Sequence, residues 1–141
     1  MKSVAEKRSA VLYRVFLSHS HKDRWIARKC ARLIEEAAKP YVEVFFDEKD
    51  IEGGQSIPDS LRTGIEECDE FVVLLSPYSK DRPWVLTEVG AAWGLRKPII
   101  AIIDKVGPKE MPDILSSYKA IDLNDFDQYI QEFVRRVKAR R

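Results

Sequence analysis

"FVVLL", residues 71–75, decides the fold. An apolar run of this length, closed by Ser76 and Pro77, is too short for a helix and too uniformly apolar for a half-solvated strand. It reads as a strand buried on both faces, the pattern of a parallel sheet. Working outward, Tyr13–Leu17 (YRVFL) and Ile99–Ile103 (IIAII) have the same character. Val42–Phe46 (VEVFF) is more mixed, and a weaker fifth strand is expected over Tyr118–Ile121.

Between these runs the period changes from strand to helix. Over Lys22–Ala38, Ile26, Cys30, Leu33, Ile34 and Ala37 fall on one face, and Arg28, Arg32, Glu35 and Glu36 on the other. Ser56 is placed to cap a second helix, with Pro58 in its first turn and Ile57, Leu61, Ile65 and Cys68 spaced for burial. A third helix follows FVVLL. After an irregular segment from Val106 to Pro112, a fourth carries Phe126, Tyr129, Ile130, Phe133, Val134 and Val137 at intervals of three and four. Its basic end, "RRVKARR", reads as a solvated helix terminus. Strands alternating with helices make βαβ units, hence an α/β fold: a mostly parallel, doubly wound sheet with helices on both faces. In such folds ligands bind beyond the carboxyl ends of the strands, where strand order reverses.

A chain of 141 residues is one domain's worth of sequence, expected over 11–141 behind a short N-terminal tail at 1–10. The net charge of +1 argues against direct binding of nucleic acid or of an anionic membrane. Cys30 and Cys68 sit among apolar residues and read as small core groups in a reducing cytosol. No apolar run approaches membrane-spanning length, and "MKSVAEKRSA" lacks the apolar segment of a signal peptide, so a cytoplasmic location is expected.

The loops after the strands carry the chemistry. "SHSHKD", residues 18–23, holds both histidines, but no cysteine and no HExxH spacing accompanies them, and Asp23 reads as a helix-start residue; no metal site is expected. Neither GxGxxG after the first strand nor GxxxxGK[ST] anywhere is present, so the usual phosphate cradles are lacking and a nucleotide, if bound, is held differently. "DEKDIEGGQS", residues 47–56, is polar and carries Gly53 and Gly54, which allows either a solvated turn or a working loop. On the third helix, "PWVLTEVGAAWG" (83–94), Trp84, Glu88, Ala91 and Leu95 share a face, with Leu86, Val89 and Trp93 opposite. Gly90, Ala91, Ala92 and Gly94 would let neighbours pack closely, and a helix apolar on most sides should be largely buried. A carboxylate there must be paired, cap something, or line a cleft.

With these blocks in hand, the chain resembles a TIR (Toll/interleukin-1 receptor) domain of the bacterial type. The resemblance runs through "YRVFLSHSHKD", "VEVFFDEKDIEGG", "CDEFVVLLSPYS" and "PWVLTEVGAAWGLRKPIIAII", from about Tyr13 to Asp104. It implies a flavodoxin-like sheet of five parallel strands, and it implies that Asp50, Gly53 and Gly54 belong to a loop used in TIR assembly. Some TIR domains only scaffold others; others cleave the nicotinamide–ribose bond of NAD, by hydrolysis or by cyclisation to a signalling nucleotide, often in immune or antiphage defence. The resemblance to the enzymatic members implies Glu88 as the catalytic residue, Trp84 four positions earlier at the nicotinamide site, and Phe16, Ser18 and His19 near the substrate. NAD would be a substrate rather than a cofactor. The partners implied are further copies of the chain, other TIR domains, or effector proteins. Many relatives show Ser-x-Trp-Cys before the glutamate, where this chain has Arg82-Pro83-Trp84-Val85. Two functions are thus expected in competition, an NAD-consuming enzyme and a non-catalytic module acting by homotypic assembly. A phospho-receiver domain is disfavoured, because the third strand ends in Ser76-Pro77 rather than an aspartate.

Overall fold

The computed structural model describes residues 12–46 and 59–140, with the side chains of 59 and 60 excepted. The tail at 1–10, the expected helix start at Ser56–Pro58, and the loop residues Asp50, Gly53 and Gly54 lie outside the described residues.

Five strands form one sheet: β1 (Tyr13–Ser18), β2 (Val42–Phe45), β3 (Glu70–Leu75), β4 (Ile99–Ile103) and β5 (Ile121–Asp122). Their order is β2-β1-β3-β4-β5, and every pairing is parallel. This is the flavodoxin-like arrangement, with the strand order reversing between β1 and β3. The three most apolar strands, β1, β3 and β4, are the central ones. β2, the mixed run, is an edge strand and is only half-buried. β5 is shorter and later than expected, because Tyr118–Ala120 precede it as irregular chain and pairing with β4 starts only at Ile121.

Alternation along the strands sends neighbouring side chains to opposite layers. Phe16, Phe71, Val73 and Leu75 face one layer, formed by α2 (Asp59–Glu67) and α3 (Pro83–Gly94). Val15, Leu17, Val72 and Leu74 face the other, formed by α1 (Arg24–Ala38) and α4 (Phe126–Arg140). The β1/β3 register sets Phe16 beside Phe71, and their rings stack at 5.3 Å. Gly64 of α2 meets the sheet edge closely: a Cβ there would lie 2.9 Å from the Phe45 ring, so only glycine fits without displacing that ring.

Helix faces depart from expectation in two places. On α1 the buried stripe is Ala27, Cys30, Ala31 and Ile34, whereas Leu33, expected inside, is 52% exposed. Small alanines let the helix sit close to the sheet on that stripe, which rotates Leu33 outward. On α3 only Val85, Glu88, Val89 and Ala92 are buried. Trp93 is 57% exposed, and a Cβ added at Gly90 or Gly94 would meet nothing within 4 Å, so the helix is covered on one side and its glycines permit no close packing among the described residues.

The basic end of α4 is only partly a solvated face. Arg136 clasps Glu70 through Nε (2.9 Å) and Nη2 (3.2 Å), and Arg140 reaches Asp69 at 2.9 Å. Glu70 has no exposed surface and also accepts hydrogen bonds from the hydroxyls of Tyr13 (2.7 Å) and Tyr129 (2.6 Å). A charge removed from water is tolerated only with such complete compensation. This network pins β1, β3 and α4 together at the amino end of β3, opposite the carboxyl ends of the strands.

Candidate active site

Two elements converge where the strand order reverses. β1 ends at Ser18, whose side chain lies on the same face as Phe16, toward α3. The core-facing stripe of α3 is Val85, Glu88, Val89 and Ala92, so the helix lays Glu88 over the carboxyl end of β1. Ser18 Oγ donates to Glu88 Oε1 at 2.6 Å, with both residues buried. A short bond from a hydroxyl to a carboxylate oxygen offsets part of the cost of removing that carboxylate from water.

Glu88 is 4% exposed and is one of the residues lining a pocket between α2 and α3. From α2 come Leu61, Arg62 and Ile65. From α3 and its end come Trp84, Thr87, Glu88, Ala91 and Leu95. The face read from helical spacing (Trp84, Glu88, Ala91, Leu95) is therefore the face that lines a cavity. Thr87 donates its hydroxyl to the Pro83 carbonyl at 2.8 Å, leaving Glu88 and Arg62 as the charged groups of the lining. Such a site, apolar walls with few polar groups, suits a small ligand with a flat ring and a polar body.

The other expected residues stand behind or beside this pocket. Phe16 has no exposed surface and packs between Phe45 and Phe71, beneath the site. His19 is buried, its ring edge-on to Phe46 at 5.6 Å. His21 is exposed on a short 3-10 turn (His21–Asp23), so the two histidines of one loop enter different surroundings. Among the described residues no group of three or more His, Cys, Asp or Glu is placed to hold a metal.

Asp23 stands at the start of α1, as expected, yet its carboxylate caps nothing. It is buried and accepts from Ser76 Oγ at 2.5 Å, joining the start of α1 to the end of β3. Burial pushes its carboxyl above the ordinary aspartate range against the lowering effect of the Ser76 bond, and Asp104 adds to the rise. Ser79 completes the turn by donating to the Leu74 carbonyl (2.7 Å) and accepting from the Ser76 amide (2.8 Å). Two parts of the site, Arg62 and the Asp23–Ser76 link, had no signal in the sequence beyond a charged residue on a helix and a serine at a strand end.

A TIR-domain family model matches residues 15–137. This chain belongs to the TIR-domain family. The TIR fold is also met in solved structures at identities that speak for fold alone. The TIR domains of the activated Roq1 resistosome, which recognises the pathogen effector XopQ, share 17% identity over 90% of this chain and 98% of that one, with a TM-score of 0.63. A metazoan TIR-STING receptor from C. gigas, solved with 2',3'-cGAMP, shares 19% over 91% of this chain and 40% of that one, with a TM-score of 0.67. A CMP N-glycosidase of Clostridium botulinum shares 22% over 84% of this chain and 96% of that one, with a TM-score of 0.52. A comparison with curated proteins found no match. No described helix of this TIR domain is long and apolar enough to cross a membrane.

Proposed function

We propose that this TIR domain is an N-glycosidase that cleaves the nicotinamide–ribose bond of NAD, with Glu88 as its catalytic carboxylate. The observation that carries the reading is a glutamate held by Ser18 at 2.6 Å in the lining of an apolar pocket, one helical turn from Trp84. In NAD the nicotinamide nitrogen is cationic, so breaking the C1'–N bond sends the electron pair to that nitrogen and releases a neutral base without a proton. Positive charge then spreads over C1' and the ring oxygen of the ribose. Glu88, fixed beside the sugar, stabilises that charge and holds its hydroxyls, and Trp84 gives the departing ring a flat wall. Attack at C1' by water, which loses a proton, gives hydrolysis; attack by a nitrogen of the adenine in the same molecule gives a cyclic nucleotide. The existence of a nucleotide N-glycosidase on the same fold supports this chemistry.

A structural role has one observation in its favour: the Ser18–Glu88 bond ties β1 to α3 as a purely architectural carboxylate would. On that reading the domain acts in the cytoplasm by assembling with other TIR domains, and the TIR domains of a resistosome share its fold. Incubation of the protein with NAD, across a wide range of protein concentration, separates the two. The enzyme releases nicotinamide, and Glu88→Gln, which keeps volume and hydrogen bonding but removes charge, lowers the rate about a hundredfold or more. No release at any concentration, or equal rates for the two proteins, refutes the catalytic role.

A further inference from the structure

The charged lining of the pocket has a second member to which NAD cleavage at Glu88 gives no task. Arg62 leaves α2 beside Leu61, on the wall facing α3, and is the sole cation among the described lining residues. Three other arginines are paired: Arg14 with Glu43 and Glu67, Arg136 with Glu70, Arg140 with Asp69. Arg62 is exposed and takes part in no ion pair among the described residues.

An anionic substrate faces a difficulty in this pocket. The carboxylate that favours positive charge at C1' repels a phosphate brought in on the same sugar, and low-dielectric walls strengthen that repulsion. A riboside that lacks the phosphate meets no such repulsion and has no use for a guanidinium. From these observations we infer that Arg62 is the phosphate-recognising residue of the site and makes it selective for nucleotides over nucleosides. Its planar fork can donate two parallel hydrogen bonds to one phosphate, and its charge offsets that of Glu88. This deepens the N-glycosidase reading and rests on it for the placement of the sugar at Glu88.

The test is equilibrium binding by calorimetry, in a Glu88→Gln background so that no turnover intervenes. The probes are nicotinamide mononucleotide and nicotinamide riboside, which differ by the phosphate alone. The mononucleotide should bind about tenfold or more tightly, as one charge-assisted phosphate contact supplies. Adding Arg62→Gln should abolish the preference through weaker binding of the mononucleotide, with no weakening of the riboside, and Arg62→Lys should retain part of it. Because Arg62 is exposed, these changes leave the fold intact. Equal binding of the two probes, a preference that survives Arg62→Gln, or binding of neither overturns the inference. Base release by the wild-type protein is read separately. An Arg62-dependent preference without base release leaves this inference standing and removes the N-glycosidase; base release with a preference indifferent to Arg62 does the reverse.

Discussion

Ser18→Ala removes one hydroxyl, and with it the bond that holds the candidate catalytic carboxylate. That bond is 2.6 Å long, runs to a carboxylate oxygen, and joins residues that are 1% and 4% exposed, so no water is at hand to replace it. A hydrogen bond to a charged group contributes about 1.5–3 kcal/mol, which shifts the unfolding equilibrium by roughly 10- to 100-fold. For a domain of this length the melting temperature should fall by roughly 5–10 °C. The clean measurement is a double-mutant cycle in urea with Ser18→Ala, Glu88→Ala and both together. The coupling should recover most of that ~1.5–3 kcal/mol, because each single variant already abolishes the shared bond. If the two changes add to within about 0.5 kcal/mol, the bond does not form in solution and the placement of Glu88 against Ser18 is wrong. Activity gives a second reading of the same variant. A carboxylate freed to move loses transition-state complementarity before it loses substrate, so kcat should fall while KM changes little. Ser18→Thr, which keeps the hydroxyl, should restore both stability and rate.

Glu70→Ala orphans two tyrosine hydroxyls and the Arg136 guanidinium; since Arg136 is 37% exposed and can rehydrate, the expected loss is about 3 kcal/mol by chemical denaturation, and a loss below about 1 kcal/mol would contradict the buried network. Asp23 titrates above its ordinary range because it is buried, so folding favours its protonated form, and that contribution is lost as pH rises through the folded pKa. Asp23→Asn keeps an acceptor for Ser76 and cannot ionise; its melting temperature should gain on the wild type from acid to neutral pH, and a difference flat with pH would refute the assignment. Burial pushes the thiols of Cys30 and Cys68 up to about 11, so a disulfide reagent at neutral pH should label neither until urea unfolds the chain, and prompt labelling of the native protein would contradict that burial.

Residues 71–75 and 99–103 were legible as buried parallel strands because a doubly covered strand is apolar along its length, a pattern that needs no partner to be recognised, and 13–17 keeps that pattern apart from the half-buried Arg14. The same is true of Glu88 as a carboxylate out of place. One acidic residue in an apolar helix carries a free-energy cost visible in one dimension, and the four-residue step to Trp84 already sets the two on one face. Leu33 shows where such reading stops. A helical stripe has soft edges, and whether a residue at its margin is inside or outside depends on how deeply the neighbouring alanines let the helix seat on the sheet. The partners of the polar residues lay further beyond reach. Ser18 meets Glu88 across 70 residues, Ser76 meets Asp23 across 53, and Glu70 gathers Tyr13, Tyr129 and Arg136 from 57 to 66 residues away. Periodicity assigns a side chain to a face but not to a neighbour. By itself the chain determined a parallel sheet, the helices that cover it, and a carboxylate set in an apolar helix; only strand order and register decided which hydroxyl holds that carboxylate and which cation shares its pocket, because those contacts exist only once distant segments are packed side by side.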